Sequence, residues 1–133
     1  MKLEHIGIAI RNLEAADKLF STIMNTSGYK TEAVEREGVI TRFFMAGDSK
    51  IELLEATRPD SPIATFIERR GEGIHHLAFE VEDIIGEMVR LKEEGFRLLS
   101  EVPKRGADNK WICFLHPKDS HGVLIELCQE IKE

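Results

Sequence analysis

"LEHIGIAI" (residues 3–10) and "IHHLAFEV" (74–81) decide the fold, because they are one kind of segment occurring twice. Each is a short apolar run with a histidine near its start, and each leads into an amphipathic stretch. After the first comes "NLEAADKLFSTIMN", in which Leu13, Leu19, Phe20 and Ile23 form an apolar stripe at helical spacing and Gly28 follows the end. After the second comes "DIIGEMVRLKEEG", with Ile84, Ile85, Met88 and Leu91 on one face and Gly95 as the expected C-cap. Three strand candidates complete each half. They are "YKTEAVE", "VITRFFMA" and "SKIELLEA", then "RLLSE", "KWICFLHP" and "GVLIELCQ", separated by turn stretches such as "AGDSK" and "KDSHG". Each half therefore reads βαβββ. One domain over residues 1–133 is expected, with module one at about 1–56 and module two at about 74–130. The linker 57–73 between them holds a short helix started by Ser61-Pro62.

The 18 Lys plus Arg against 24 Asp plus Glu give a net charge of -6. That balance excludes a general nucleic-acid or anionic-membrane binder, which needs a basic footprint, but admits a small anionic ligand met by a local positive cluster. Cys113 and Cys128 lie in apolar strand-like runs and read as buried free thiols. Without a disulfide framework the expected location is a reducing cytoplasm. "MKLEHIGIAI" turns charged too soon for a signal peptide, and no apolar run approaches the length of a membrane span.

Superposing the two first strands aligns His5 with His76, and Glu4 with His75. Because side chains alternate along a strand, His75 and His76 point to opposite faces. The last strands, "KIELLEA" and "LIELCQE", align Glu52 with Glu126, at nearly the same distance along the chain from their histidines. Taken singly, a glutamate in such a strand is a solvated edge residue, and a histidine is a hydrogen-bonded structural group. Repetition changes the reading. Two imidazoles and two carboxylates, symmetrically placed, make a mixed N/O donor set suited to a divalent ion such as Co²⁺, Ni²⁺, Mn²⁺ or Zn²⁺.

Three stretches, "LEHIGIAI", "DSPIATFIERRGEGIHHLAFEV" and "GADNKWICFLHPKDSHGVLIEL", resemble the methylmalonyl-CoA epimerases of the vicinal oxygen chelate superfamily. The resemblance covers nearly the whole chain. It implies an α+β fold in which the two modules form a curved, cleft-bearing mixed sheet with flanking helices. It also implies metal ligands at His5, Glu52, His76 and Glu126, the four residues the internal repeat selects. The implied reaction interconverts (2R)- and (2S)-methylmalonyl-CoA by proton removal and return through a metal-stabilised enolate, and the implied assembly is a homodimer. Glu126 is expected to be one base. Some epimerases carry a second acid in a "GVVE"-like stretch, where this chain has "GVIT" and Thr41, so Glu52, or else a nearby group or bound water, is expected to serve instead.

Two other readings of the same pattern are a glyoxalase I-like lactoylglutathione lyase and a non-enzymatic small-molecule-binding module. Glyoxalase I usually has an arginine four residues after the first histidine and an asparagine four after the second ligand. This chain has Ala9 and Ala56 at those positions. The full set of four ligands speaks against simple sequestration.

Lys104, Arg105, Lys110 and Lys118 are the candidates for meeting the charges of an acyl-CoA substrate. His75 is expected to point away from the site, His116 and His121 fall at turns, and Trp111 and Phe114 read as core or cleft wall.

Overall fold

The computed structural model describes residues 1–132. In chain order the elements are β1 (Lys2–Ala9), α1 (Leu13–Met24), β2 (Lys30–Val34), β3 (Val39–Ala46), β4 (Ser49–Ala56), α2 (Pro62–Arg70), β5 (Gly73–Glu80), α3 (Ile84–Glu93), β6 (Lys104–Gly106), β7 (Lys110–Phe114) and β8 (Ile125–Glu130). The chain divides into two units whose boundaries fall inside β1 and β5. His5–His75 forms the first unit, and Met1–Glu4 joins the chain from His76 onward in the second.

In the first unit β2, β3 and β4 are antiparallel neighbours, and β4 runs parallel to β1, with Gly7 opposite Glu52. In the second unit β6, β7 and β8 are antiparallel neighbours, and β8 runs parallel to β5, with Ala78 opposite Glu126. The repetition reaches single hydrogen bonds. Asn12 N-caps α1 by accepting from the Ala15 N–H, and Asp83 N-caps α3 by accepting from the Gly86 N–H. A strand residue in each unit satisfies one more orphan amide. Glu55 accepts from the Leu13 N–H and Gln129 from the Ile84 N–H, both at 2.7 Å. The Ile10 N–H then bonds the Leu54 carbonyl, and the Val81 N–H bonds the Cys128 carbonyl, each at 2.9 Å.

One face of each sheet is closed by its helix. In the first unit Ile10, Phe44 and Leu53 pack with Leu13, Ala16, Phe20 and Met24 of α1. In the second, Val81, Cys113, Leu115 and Leu127 pack with Ile84, Met88 and Leu91 of α3. The helical stripes expected from the sequence are wider than the faces that pack, because Leu19, Ile23 and Ile85 are more than half exposed. Each shares a helix with residues that pack on the sheet but lies off the line that faces it, which an i, i+3, i+4 pattern alone does not resolve.

The expected strand "RLLSE" (97–101) is also corrected. Leu98 makes only an isolated bridge to Leu115, and regular pairing resumes at Lys104 opposite Ile112. Six residues are thus spanned against three on β7, so the edge bulges over 99–103. Pro103, which has no N–H to donate, lies in that bulge. The helix expected at Ser61-Pro62 is α2. Ser61 accepts from the Ile63 N–H, and Pro62 stands at its first turn. No helix among the described residues is long and apolar enough to cross a membrane.

Candidate active site

The second face of each sheet follows from alternation. Leu53 and Leu127 point to the helices, so Glu52 and Glu126, one position earlier, point the other way. In the first unit His5 shares that face with Glu52, because His5 pairs with Lys50 and Gly7 with Glu52 in the β1–β4 register. His5 Nδ1 lies 3.0 Å from Glu52 Oε2. In the second unit His76 Nε2 lies 3.3 Å from Glu126 Oε1. All four side chains are 5–6 % exposed. The sequence repeat thus becomes a structural one, with one buried imidazole–carboxylate pair in each unit.

Such pairs fit a metal ion by the chemistry of their donors. Imidazole nitrogen and carboxylate oxygen both bind divalent ions at about 2.0–2.2 Å, and two donors in adjacent coordination positions then stand about 3 Å apart. The observed separations meet that spacing. A buried carboxylate left alone would carry a large desolvation cost, which a cation or a protonated imidazole offsets.

Each glutamate sits in a slot between a small residue and a phenylalanine. Glu52 has Gly7 on one side and Phe43 on the other. Glu126 has Ala78 on one side and Phe114 on the other. Phe43 is fully buried, with Tyr29 at 6.0 Å between ring centroids and the Lys30 ammonium 4.6 Å above its ring. Phe114 is only half-buried and meets the His76 ring edge-on, with centroids 5.8 Å apart and planes at 87°. Phe43 was not singled out from sequence. Its signal is the hairpin: the two-residue turn Gly47-Asp48, with Gly47 at φ +65°, sets the register that puts Phe43 opposite Glu52.

Thr41 lies on the Glu52 face, 1 % exposed, and its hydroxyl donates to the Glu32 carbonyl at 2.9 Å. A hydroxyl committed to a backbone carbonyl offers no base at neutral pH. His75 packs edge-on against Phe66 of α2 at 4.9 Å, and burial holds its pKa down at about 4. His116 caps a 3-10 turn, its Nδ1 accepting from the Lys118 N–H, and His121 sits in the following loop at φ +56°. Asp119 in that turn is held to Arg97 by two side-chain hydrogen bonds and one from the Arg97 backbone. Those bonds lower its pKa to about 2.

The four basic residues do not share one surface. Lys104 and Lys110 lie on the Glu126 face, whereas Arg105 points to the opposite face, its guanidinium 5.2 Å from the Trp111 ring centroid. Lys118 is exposed in the turn beyond the far end of β7. Lys110 is buried at 7 % exposure. Alternation within the two-strand ribbon β6–β7 separates what proximity in sequence had grouped.

Residues 4–114 match the family described as the Glyoxalase/Bleomycin resistance protein/Dioxygenase superfamily. The ethylmalonyl-CoA/methylmalonyl-CoA epimerase of Cereibacter sphaeroides is 45 % identical over 133 residues, covering 96 % of this chain and 97 % of that protein. A variant of the Streptomyces coelicolor methylmalonyl-CoA epimerase, solved in complex with 2-nitronate-propionyl-CoA, superposes with a TM-score of 0.94. It is 35 % identical and is covered over 94 % of its length, with 98 % of this chain matched. A methylmalonyl-CoA epimerase in complex with methylmalonyl-CoA and NH4+ gives a TM-score of 0.93 at 36 % identity, covering 97 % of this chain and 94 % of that one.

Proposed function

The chain belongs to the Glyoxalase/Bleomycin resistance protein/Dioxygenase superfamily and, within it, to the methylmalonyl-CoA epimerases, and from that premise we propose that it interconverts (2R)- and (2S)-methylmalonyl-CoA. The observation that carries this reading is the buried histidine–glutamate pair repeated in both units.

His5, Glu52, His76 and Glu126 are the proposed donors for one divalent cation, of the Co²⁺, Ni²⁺, Mn²⁺ or Zn²⁺ kind. Bound there, it supplies positive charge where the enolate's negative charge develops. The rest falls to the chain's own groups. Glu126, ionised, takes the α-proton from one face of the substrate. The C–H electron pair passes into the thioester and carboxylate system. Glu126 then gives that proton up to solvent, a solvent proton relayed through Glu52 reaches the opposite face, and the product carries inverted configuration. Thr41 supplies no rival base, since its hydroxyl is tied to Glu32. Lys104, exposed on the Glu126 face, is the basic residue best placed for a CoA phosphate.

A glutathione substrate fits less well. The position that holds arginine in glyoxalase I is Ala9, fully buried among Val39, Leu54 and Ile63, which leaves no room for a longer side chain. The buried free thiols Cys113 and Cys128 favour a reducing cytoplasm. The exposed pairs Leu19 and Ile23 on α1 and Ile85 and Val89 on α3 are surfaces for a homodimer, which sedimentation of the purified chain reads directly.

The test is incubation of the metal-loaded protein with (2S)-methylmalonyl-CoA in D₂O, followed by NMR. Exchange of the α-proton with inversion is expected, and chelation is expected to abolish it, with one ion bound per chain by metal analysis. Absence of exchange, together with turnover of the methylglyoxal–glutathione hemithioacetal, overturns the epimerase reading.

A further inference from the structure

We infer that Phe114 is the surface against which the 2-alkyl group of the substrate packs, so that its ring sets how large that group can be. The inference rests on the epimerase reading and deepens it. When Glu126 takes the α-proton, the α-carbon stands against its carboxylate, and the methyl group on that carbon lies beside it. A methyl group gains nothing from a carboxylate or an ammonium and needs an apolar neighbour.

The register limits the choice. On the Glu126 face of the second unit the apolar cluster comprises Ala78, Ile112, Cys128 and Phe114. Ala78 and Cys128 are fully buried and Ile112 is 6 % exposed, so their side chains are already covered. Phe114 alone is half-open, and it stands directly across the strand from Glu126. Its counterpart across from Glu52, Phe43, is closed off by Tyr29 and Lys30. The two faces therefore differ in the property that matters, since only one phenylalanine still offers ring surface. The His76 ring stands nearly perpendicular to that of Phe114, and this contact holds the aromatic plane in place.

Discrimination between substrates that differ by one methylene is about 10–200-fold when a wall contacts the group. The experiment measures kcat/KM for methylmalonyl-CoA and for ethylmalonyl-CoA by α-proton exchange, in the wild-type protein and in Phe114→Ala, Phe114→Trp and Met45→Ala. Met45 is the control because it is 46 % exposed on the Glu52 face. Phe114→Ala is expected to raise the ethyl-to-methyl ratio about tenfold and Phe114→Trp to lower it. Loss of support for His76 slows both substrates together and leaves the ratio alone, so the ratio separates a specificity role from a structural one. A ratio within twofold of wild type in both Phe114 variants overturns the inference, as does a reversal of either sign. A ratio that moves in Met45→Ala and not at Phe114 overturns it too. Exchange by the wild-type protein with neither thioester sinks the epimerase reading itself and the inference with it.

Discussion

The two units share a scaffold and differ at one end of the face that carries the glutamates. In the first unit Ala9, Val39, Leu54 and Ala56 line that end, and α2 covers them with Ile63, Phe66 and Ile67. The corresponding positions in the second unit are Glu80, Lys110, Cys128 and Glu130. There the buried Lys110 stands across from Glu130, and its charge opposes the upward push that burial and neighbouring carboxylates exert on the Cys128 thiol. Apolar residues occur where α2 packs over the strands, and charged residues take the same positions in the second unit. What the units keep in common is narrower: the N-caps, the strand side chain on the first helix amide, and the histidine–glutamate pair. The shared parts hold the imidazole–carboxylate pairs, the proposed donors, in place.

Replacing one glutamate at a time asks whether the units share the chemistry equally. Glu126→Gln and Glu52→Gln are each expected to slow epimerisation about 10²–10⁴-fold, the usual range for loss of a positioned acid or base. Exchange followed separately from the (2R) and (2S) thioesters reads the two faces. If Glu52→Gln stays within fivefold of wild type for both, the first unit does not supply a base, and the comparison breaks at its centre.

The capping pairs test the scaffold. Glu55 brings a carboxylate to the first amide of α1, whereas Gln129 brings a neutral amide oxygen to the first amide of α3. Charge-assisted bonds of this kind contribute about 1.5–3 kcal/mol and neutral ones about 0.5–1.5 kcal/mol. Glu55→Ala is therefore expected to cost more than Gln129→Ala in urea unfolding, and Glu55→Gln to fall between Glu55→Ala and wild type. Equal costs for the two alanine variants would show that the charge adds nothing at this position.

The smallest expected effect concerns the thiols. Burial, reinforced by the nearby Glu126 charge, pushes Cys113 up to about 11 and Cys128 further still. Both remain protonated at pH 8, and a thiolate-specific reagent is expected to label neither until the protein is unfolded. Their side chains also lie on opposite faces, since Cys128 pairs with Ile112 and Cys113 with Leu127. Oxidation is thus expected to leave the two unlinked, which mass analysis under denaturing, non-reducing conditions checks. Fast labelling of Cys128 would mean that the Cys128 end of the second unit opens in solution.

Much of the architecture was legible because periodicity is local. Strand alternation and helical spacing are written in consecutive residues, and their recurrence marked out βαβββ twice. The same recurrence aligned His5 with His76 and Glu52 with Glu126, and each unit does bring its imidazole and carboxylate to about 3 Å. Less local features were not legible. The strand expected at 97–101 gave way to β6 at Lys104–Gly106, because an edge strand is fixed by where its neighbour's hydrogen bonds fall. The basic cluster dispersed for a related reason, since two residues side by side on a ribbon face opposite ways.

By itself, then, the order of residues determined two repeated modules, the alternation that sends each glutamate away from its helix, and the matched imidazoles and carboxylates proposed as donors for a divalent ion. Tertiary structure alone decided which phenylalanine stands across from which glutamate, and which of the two keeps an open ring. Cross-strand register depends on loop lengths, and these differ: a two-residue turn brings β3 back as β4, whereas ten residues separate β7 from β8. Exposure depends on what the rest of the chain lays over a side chain, and no window of neighbouring residues contains that information.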